Sequence, residues 1–344
     1  MAKEKKFVTF AQQRHQEYLY NVFTIVFVVG VFLGITQALF SYPADWIFGK
    51  FPQSPIGSFL KIFLQSVYTG VGIYLPFLIY QIIVNKTSGR YFTRKNASSR
   101  PIDYVLTIPA VAGIGLFVQY ISSQIAAGLR DSGFHLRETL PDIGNSLPDS
   151  IFFILCTALI PAFFWEMSFR GIVINNLKKD SHAAAVIVAA ILGSFTFTSI
   201  QQTPYLLITG LLLGWLYLKT KDIFLTYACS AVTNGLLATK WVLTCTIGRP
   251  FLQLQSTICL LAGLIGLIFL VVLMIRKKFK TTHETTDKPL SRKDIVLALL
   301  KSFGLWLFIG ISVFRMFFGY IAKPTQEYQS PYDTQNSQQT TQSE

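Results

Sequence analysis

Charge is scarce in this chain. Of its 344 residues, 14% are charged and 51% hydrophobic, and the mean hydropathy is +0.46, a balance that excludes an ordinary water-soluble globule. Acid is scarcer still, with 17 Asp and Glu against 30 Lys and Arg. The surplus of +13 would suit nucleic acid if it lay along one recognition helix. It lies instead in short clusters between apolar blocks, which excludes that class of partner. The four cysteines, Cys156, Cys229, Cys245 and Cys259, show no CxxC spacing, so no zinc or redox motif is present and they read as small apolar packing residues. None of the four histidines (His15, His135, His182, His283) falls within an apolar block. Nothing at bilayer depth can therefore ligate a metal or relay a proton through imidazole.

What the chain does have is apolar blocks about 20 residues long, enough to cross a hydrocarbon layer about 30 Å thick. Candidate spans run over 21–40, 59–84, 104–127, 149–175, 183–201, 205–218, 223–241, 256–275 and 295–320. Each must satisfy its own backbone hydrogen bonds in lipid, so the expected fold is all-α, a polytopic transmembrane bundle of eight or nine spans. The first block follows a polar arm, 1–20, and lacks a small-residue cleavage site, so it reads as a retained anchor. Lys and Arg concentrate on alternate connections, which places the N-terminus in the cytoplasm of a multi-pass cell-membrane protein. The basic 85–103 loop then lies inside, near anionic headgroups. The acidic 128–148 loop and the polar tail 323–344 lie outside, and the tail is too poor in aliphatic residues to bury a core. Gly210 and Gly214 form a GxxxG step for close helix approach. Lys301 and Arg315, near opposite ends of the last span, are placed to snorkel to the two interfaces.

Ionisable groups at bilayer depth cost about 2.5–3.5 kcal/mol each on insertion scales. Asp103, Asp149, Asp222 and Asp294 sit at span edges, and Glu166 is the one acid well inside a span. Arg170 follows it by four residues, which puts both side chains on one helix face in the favourable acid-before-base order. Counted from Lys178, Glu166 lies about 18 Å deep, at about 1.5 Å per residue. Pro161 removes one ladder hydrogen bond and should bend the same helix just ahead of the pair.

The surrounding residues are Trp165-Glu166-Met167-Ser168-Phe169-Arg170-Gly171. This resembles the first motif, E-E-x-x-F-R-G, of the CAAX protease and bacteriocin-processing (CPBP) family of intramembrane endopeptidases. The resemblance continues in order through Phe197 to Gln201, matching F-x-x-x-H, through Gly210 to Tyr217, and through Ser230 to Asn234, matching H-x-x-x-N. It implies a CPBP-like core over 148–241, flanked by N-terminal spans in 21–147 and C-terminal spans in 242–322. In the family, the first glutamate of the pair, with the histidines, is thought to activate water, while the third-motif His and Asn hold the oxyanion.

This chain departs at three of those positions. Trp165 replaces the first Glu, and Gln201 and Ser230 replace the two histidines, so Glu166, Arg170 and Asn234 are the matches. Neither a three-ligand metal set nor a carboxylate pair is left, and no metal or other cofactor is expected. A carboxylate held by a guanidinium is also a poor base. Gln201 and Asn234 can still donate hydrogen bonds to a carbonyl. The expectation is thus a catalytically degenerate family member, with Glu166, Arg170, Gln201 and Asn234 lining a cavity. Its partners would be the bilayer and a membrane-associated peptide or protein, and the resemblance adds regulation or bacteriocin immunity as a setting. An active divergent endopeptidase using Glu166 is the first alternative. A small transporter or structural subunit is the second, and it would show polar residues at several depths on several spans.

Overall fold

A computed structural model of the chain describes residues 55–84, 99–132, 146–178, 181–196, 201–247, 249–276, 300–301 and 303–321. The arm 1–20, the span 21–40, most of the 85–103 and 128–148 loops, the tail 323–344 and the side chain of Arg315 lie outside these residues.

All regular structure among the described residues is helical. In chain order the helices are α1 (Pro55–Val84), α2 (Pro101–Asp131), α3 (Leu147–Leu177), α4 (His182–Ser194), α5 (Thr203–Thr220), α6 (Ile223–Ile247), α7 (Arg249–Ile275) and α8 (Phe303–Ile321). Among the described residues, four segments are long and apolar enough to cross a membrane: Phe59–Ile82, Pro101–Leu129, Leu147–Leu177 and Gln253–Ile275. Their starts follow from sequence. Ser146 and Ser181 accept hydrogen bonds from the Asp149 and Ala184 amides as N-caps, and prolines occupy the first turns of α3 and α5, where a missing N–H costs nothing. At the end of α5, Lys221 turns left-handed (φ 52°) and donates its N–H to the Tyr217 carbonyl.

The 183–201 span is shorter than its hydropathy implies. Its helix ends at Ser194, and Gln201 lies on the turn before α5. The residues after Ser194 are β-branched, aromatic and polar (Phe195-Thr196), and the Thr196 hydroxyl turns back onto the Leu192 carbonyl, a local bond that competes with helix continuation.

Beyond the bend expected at Pro161, α3 departs from α geometry over Met167–Ile174, where it widens to a π-helix before a closing turn at Asn175–Leu177. Asn175 Nδ2 donates to the Arg170 and Gly171 carbonyls (3.2 and 2.9 Å) and to Tyr217 Oη (2.7 Å). The widened turn is thereby stitched to α5. Such π segments are frequent where a helix carries function.

α3 packs between α1 and α6, and its π segment also meets α4 and α5. One core gathers Ile73, Phe77 and Tyr80 of α1 with Phe169, Val173 and Leu177 of α3, and Val188 and Leu192 of α4. A second joins Val111 of α2, Leu216 of α5, Leu225 and Cys229 of α6, and Leu273 of α7. In lipid, apolar contact gives little net drive, so close approach at small residues matters more. The α2–α7 crossing shows this: a Cβ on Gly113 would stand 2.2 Å from the Ala262 carbonyl oxygen and 2.8 Å from Gly266 Cα. Gly210 and Gly214 similarly bring α5 onto Ala190 and Val186 of α4. Cys156, Cys229 and Cys259 are buried, as packing residues should be, but Cys245 is exposed near the end of α6.

Among the described residues, the edge acids Asp103, Asp149 and Asp222 are buried near helix starts. Asp222 Oδ1 accepts from the Phe224 and Leu225 amides (2.9 and 3.3 Å), and its Oδ2 accepts from Tyr104 Oη (2.9 Å) and Ser99 Oγ. Asp103 accepts from the Arg100 amide (2.8 Å) and pairs with Arg276, the residue that follows α7 (3.2 Å). These contacts gather the start of α2, the α5–α6 junction and the end of α7 at one end of the bundle, with Arg100, Lys219, Lys221 and Arg276 beside them.

Candidate functional site

Glu166 and Arg170 lie where α3 faces α5 and α6. Both are sealed from solvent, at 1% and 2% exposure. Arg170 Nη1 stands 3.2 Å from Glu166 Oε1, as the four-residue spacing predicts. The same oxygen accepts a 2.5 Å hydrogen bond from Ser230 Oγ of α6. Arg170 Nη2 reaches the Gly210 carbonyl of α5 at 3.4 Å. That contact depends on the glycine step, because close α4–α5 packing sets where the α5 backbone lies.

Two polar atoms of the pair are left over. Glu166 Oε2 and Arg170 Nε are buried without a hydrogen-bond partner among the described residues. Buried polar atoms are rarely orphaned in this way, and those that are tend to mark a bound water, a ligand or a catalytic role.

One helical turn beyond Ser230, Asn234 Oδ1 accepts from Tyr205 Oη of α5 (3.3 Å). Tyr205 is 8% exposed and lies within electrostatic reach of both Glu166 and Arg170. The site is therefore a short interior column: Arg170 against Gly210, then Glu166 against Ser230, then Tyr205 against Asn234. Aligned charge and hydrogen bonding of this kind are costly in a bundle interior and are kept where they hold a specific arrangement.

The other sequence candidates fall differently. Gln201 sits on the turn before α5, and its Nε2 donates to Ser123 Oγ of α2 (3.1 Å); no contact joins it to Glu166. Trp165 packs against Phe169 with the rings tilted (centroids 4.6 Å apart) and approaches Gly193 of α4. Neighbours on a helix point roughly 100° apart, so Trp165 and Glu166 serve different faces. His182 is exposed at the start of α4. Among the described residues, no group of three His, Cys, Asp or Glu side chains could hold a metal ion.

Sequence reasoning named Ser230 only as a lost histidine and passed over Tyr205. The motif spacing did carry the first: a residue four before Asn234 shares its helix face. For Tyr205 no motif exists, and its role depends on the α5–α6 packing.

Neither curated proteins nor solved structures gave a match to the chain. Residues 147–236, which span α3 to the middle of α6 and hold the whole column, match the family described as type II CAAX prenyl endopeptidase Rce1-like, a match that supports membership of the chain in the CPBP family.

Proposed function

We propose that this is a multi-pass membrane protein of eight or nine spans whose CPBP-like core, 148–241, binds a membrane-associated peptide or protein without hydrolysing it. One observation carries the reading. Glu166 Oε1 is engaged at once by Ser230 (2.5 Å) and Arg170 (3.2 Å). Water activation needs a base free to take a proton and a second group to pass it on. Gln201, at the position of the family's second-motif histidine and bonded to Ser123, cannot do the second, and the ion pair opposes the first. Asn234 and Arg170 retain donors suited to a peptide carbonyl, and Glu166 Oε2 retains an acceptor suited to an amide N–H.

In this reading the N-terminus is cytoplasmic, and the end of the bundle bearing Arg100, Lys219, Lys221 and Arg276 faces the same side, as the excess of Lys and Arg on alternate connections supports. A peptide bearing a lipid chain would enter from that interface, with the chain in the hydrocarbon.

Binding of a fluorescent farnesylated peptide to the protein in nanodiscs tests this. Saturable binding that weakens in Asn234→Ala is expected. A peptide that binds the wild type and Asn234→Ala alike would contradict it.

A second reading, an active divergent endopeptidase, draws on Glu166 Oε2, which is buried without a hydrogen-bond partner among the described residues and would be the acceptor for a catalytic water. It predicts turnover governed by a single carboxylate.

A further inference from the structure

Tyr205 belongs to none of the sequence motifs, yet it is the group that holds Asn234. It sits in the first turn of α5, with its ring against Gly115 of α2, where a Cβ would stand 3.3 Å from Tyr205 Cε2. Thr209 Oγ1 donates to the Tyr205 carbonyl (2.7 Å), which ties this turn of α5 together. The ring has little freedom, and its hydroxyl reaches Asn234 Oδ1 at 3.3 Å.

A primary amide has an acceptor end and a donor end of nearly equal shape. A phenol hydroxyl can serve either end, so the end it binds decides which way the amide faces. Tyr205 Oη donates to Oδ1, so the Asn234 NH2 group is turned away from Tyr205. Reversed, the amide would present its carbonyl oxygen instead and repel the oxygen of an incoming carbonyl.

We propose that Tyr205 is a positioning residue that fixes the Asn234 amide so that Nδ2 donates to the carbonyl of a bound peptide. This assignment rests on the peptide-binding reading above. Tyr205 does not itself touch the ligand; it acts through Asn234.

The test is a double-mutant cycle on farnesylated-peptide binding in nanodiscs, with wild type, Tyr205→Phe, Asn234→Ala and the double variant. Phe keeps the ring and its packing and removes only the hydroxyl. Tyr205→Phe should weaken binding roughly 2–10-fold, the net worth of one hydrogen bond, and should add nothing in the Asn234→Ala background. A purely structural tyrosine would weaken both backgrounds equally, and that additivity would overturn the assignment. Unchanged binding by Tyr205→Phe beside a weakened Asn234→Ala would overturn the assignment alone, whereas unchanged binding by Asn234→Ala would overturn the peptide-binding reading with it. A ligand-free readout stands beside the cycle. In protein labelled with ¹⁵N-asparagine, the side-chain amide resonance that disappears in Asn234→Ala should shift or broaden in Tyr205→Phe, and an unmoved resonance would count against the proposal.

Discussion

Ser230 Oγ donates a 2.5 Å hydrogen bond to Glu166 Oε1 across 64 positions of sequence. It joins α6 to α3 at the depth where Arg170 pairs with the same carboxylate oxygen. An acid, a base and a hydroxyl thus converge on one point, and the remaining oxygen, Oε2, is buried without a hydrogen-bond partner among the described residues.

Breaking this pair from one side should be worse than removing it altogether. Glu166→Leu or Arg170→Leu leaves a buried, uncompensated charge and should cost about 3–5 kcal/mol, while the double change should recover much of that loss. Thermal unfolding in detergent reads the three values, and a double variant as unstable as the sum of the singles would contradict the ion-pair account.

The α2–α7 crossing makes a second prediction. Gly113→Ala puts a methyl against the Ala262 carbonyl and the Gly266 backbone, groups that cannot rotate away, and should cost about 1–3 kcal/mol. Gly72→Ala in α1 meets nothing within 4 Å and should be neutral or stabilising by up to about 1 kcal/mol from helix propensity. Equal effects of the two substitutions on the melting midpoint would count against the packing described.

Much of this was readable beforehand, and what escaped has physical causes. The ordered motif residues fixed the Glu166–Arg170 face, because four-residue spacing on a helix needs no tertiary information. That Gly210 and Gly214 admit a close neighbouring helix was legible for the same reason, but that the neighbour is α4 was not. Gln201 was misplaced onto a helix because hydropathy continues past Ser194, although the backbone does not. The π-helix over Met167–Ile174 leaves no hydropathy signature; it depends on Asn175 satisfying the carbonyls of Arg170 and Gly171. Tyr205 was invisible for a different reason, since its partner Asn234 lies 29 positions away and only packing joins them. The edge acids read as interfacial residues, yet Asp103 and Asp222 are buried anchors, because partners from other helices reach them.

Asp222 offers a third prediction. It caps α6 through the Phe224 and Leu225 amides while accepting from Tyr104 and Ser99. Asp222→Ala should cost about 0.5–2 kcal/mol for the cap alone, and more once the orphaned hydroxyls are counted. Asp222→Asn keeps an acceptor for the cap and should lose less. A melting midpoint for Asn as low as that for Ala would show that charge, rather than capping, dominates there.

The central claim is that this core holds peptides and does not cut them. The most direct measurement is mass spectrometry of new peptide termini after incubating purified wild-type protein in nanodiscs with farnesylated and transmembrane peptides. The account predicts intact peptides at every time point. New termini that form with the wild type and vanish with Glu166→Gln would contradict it and make Glu166 a working base.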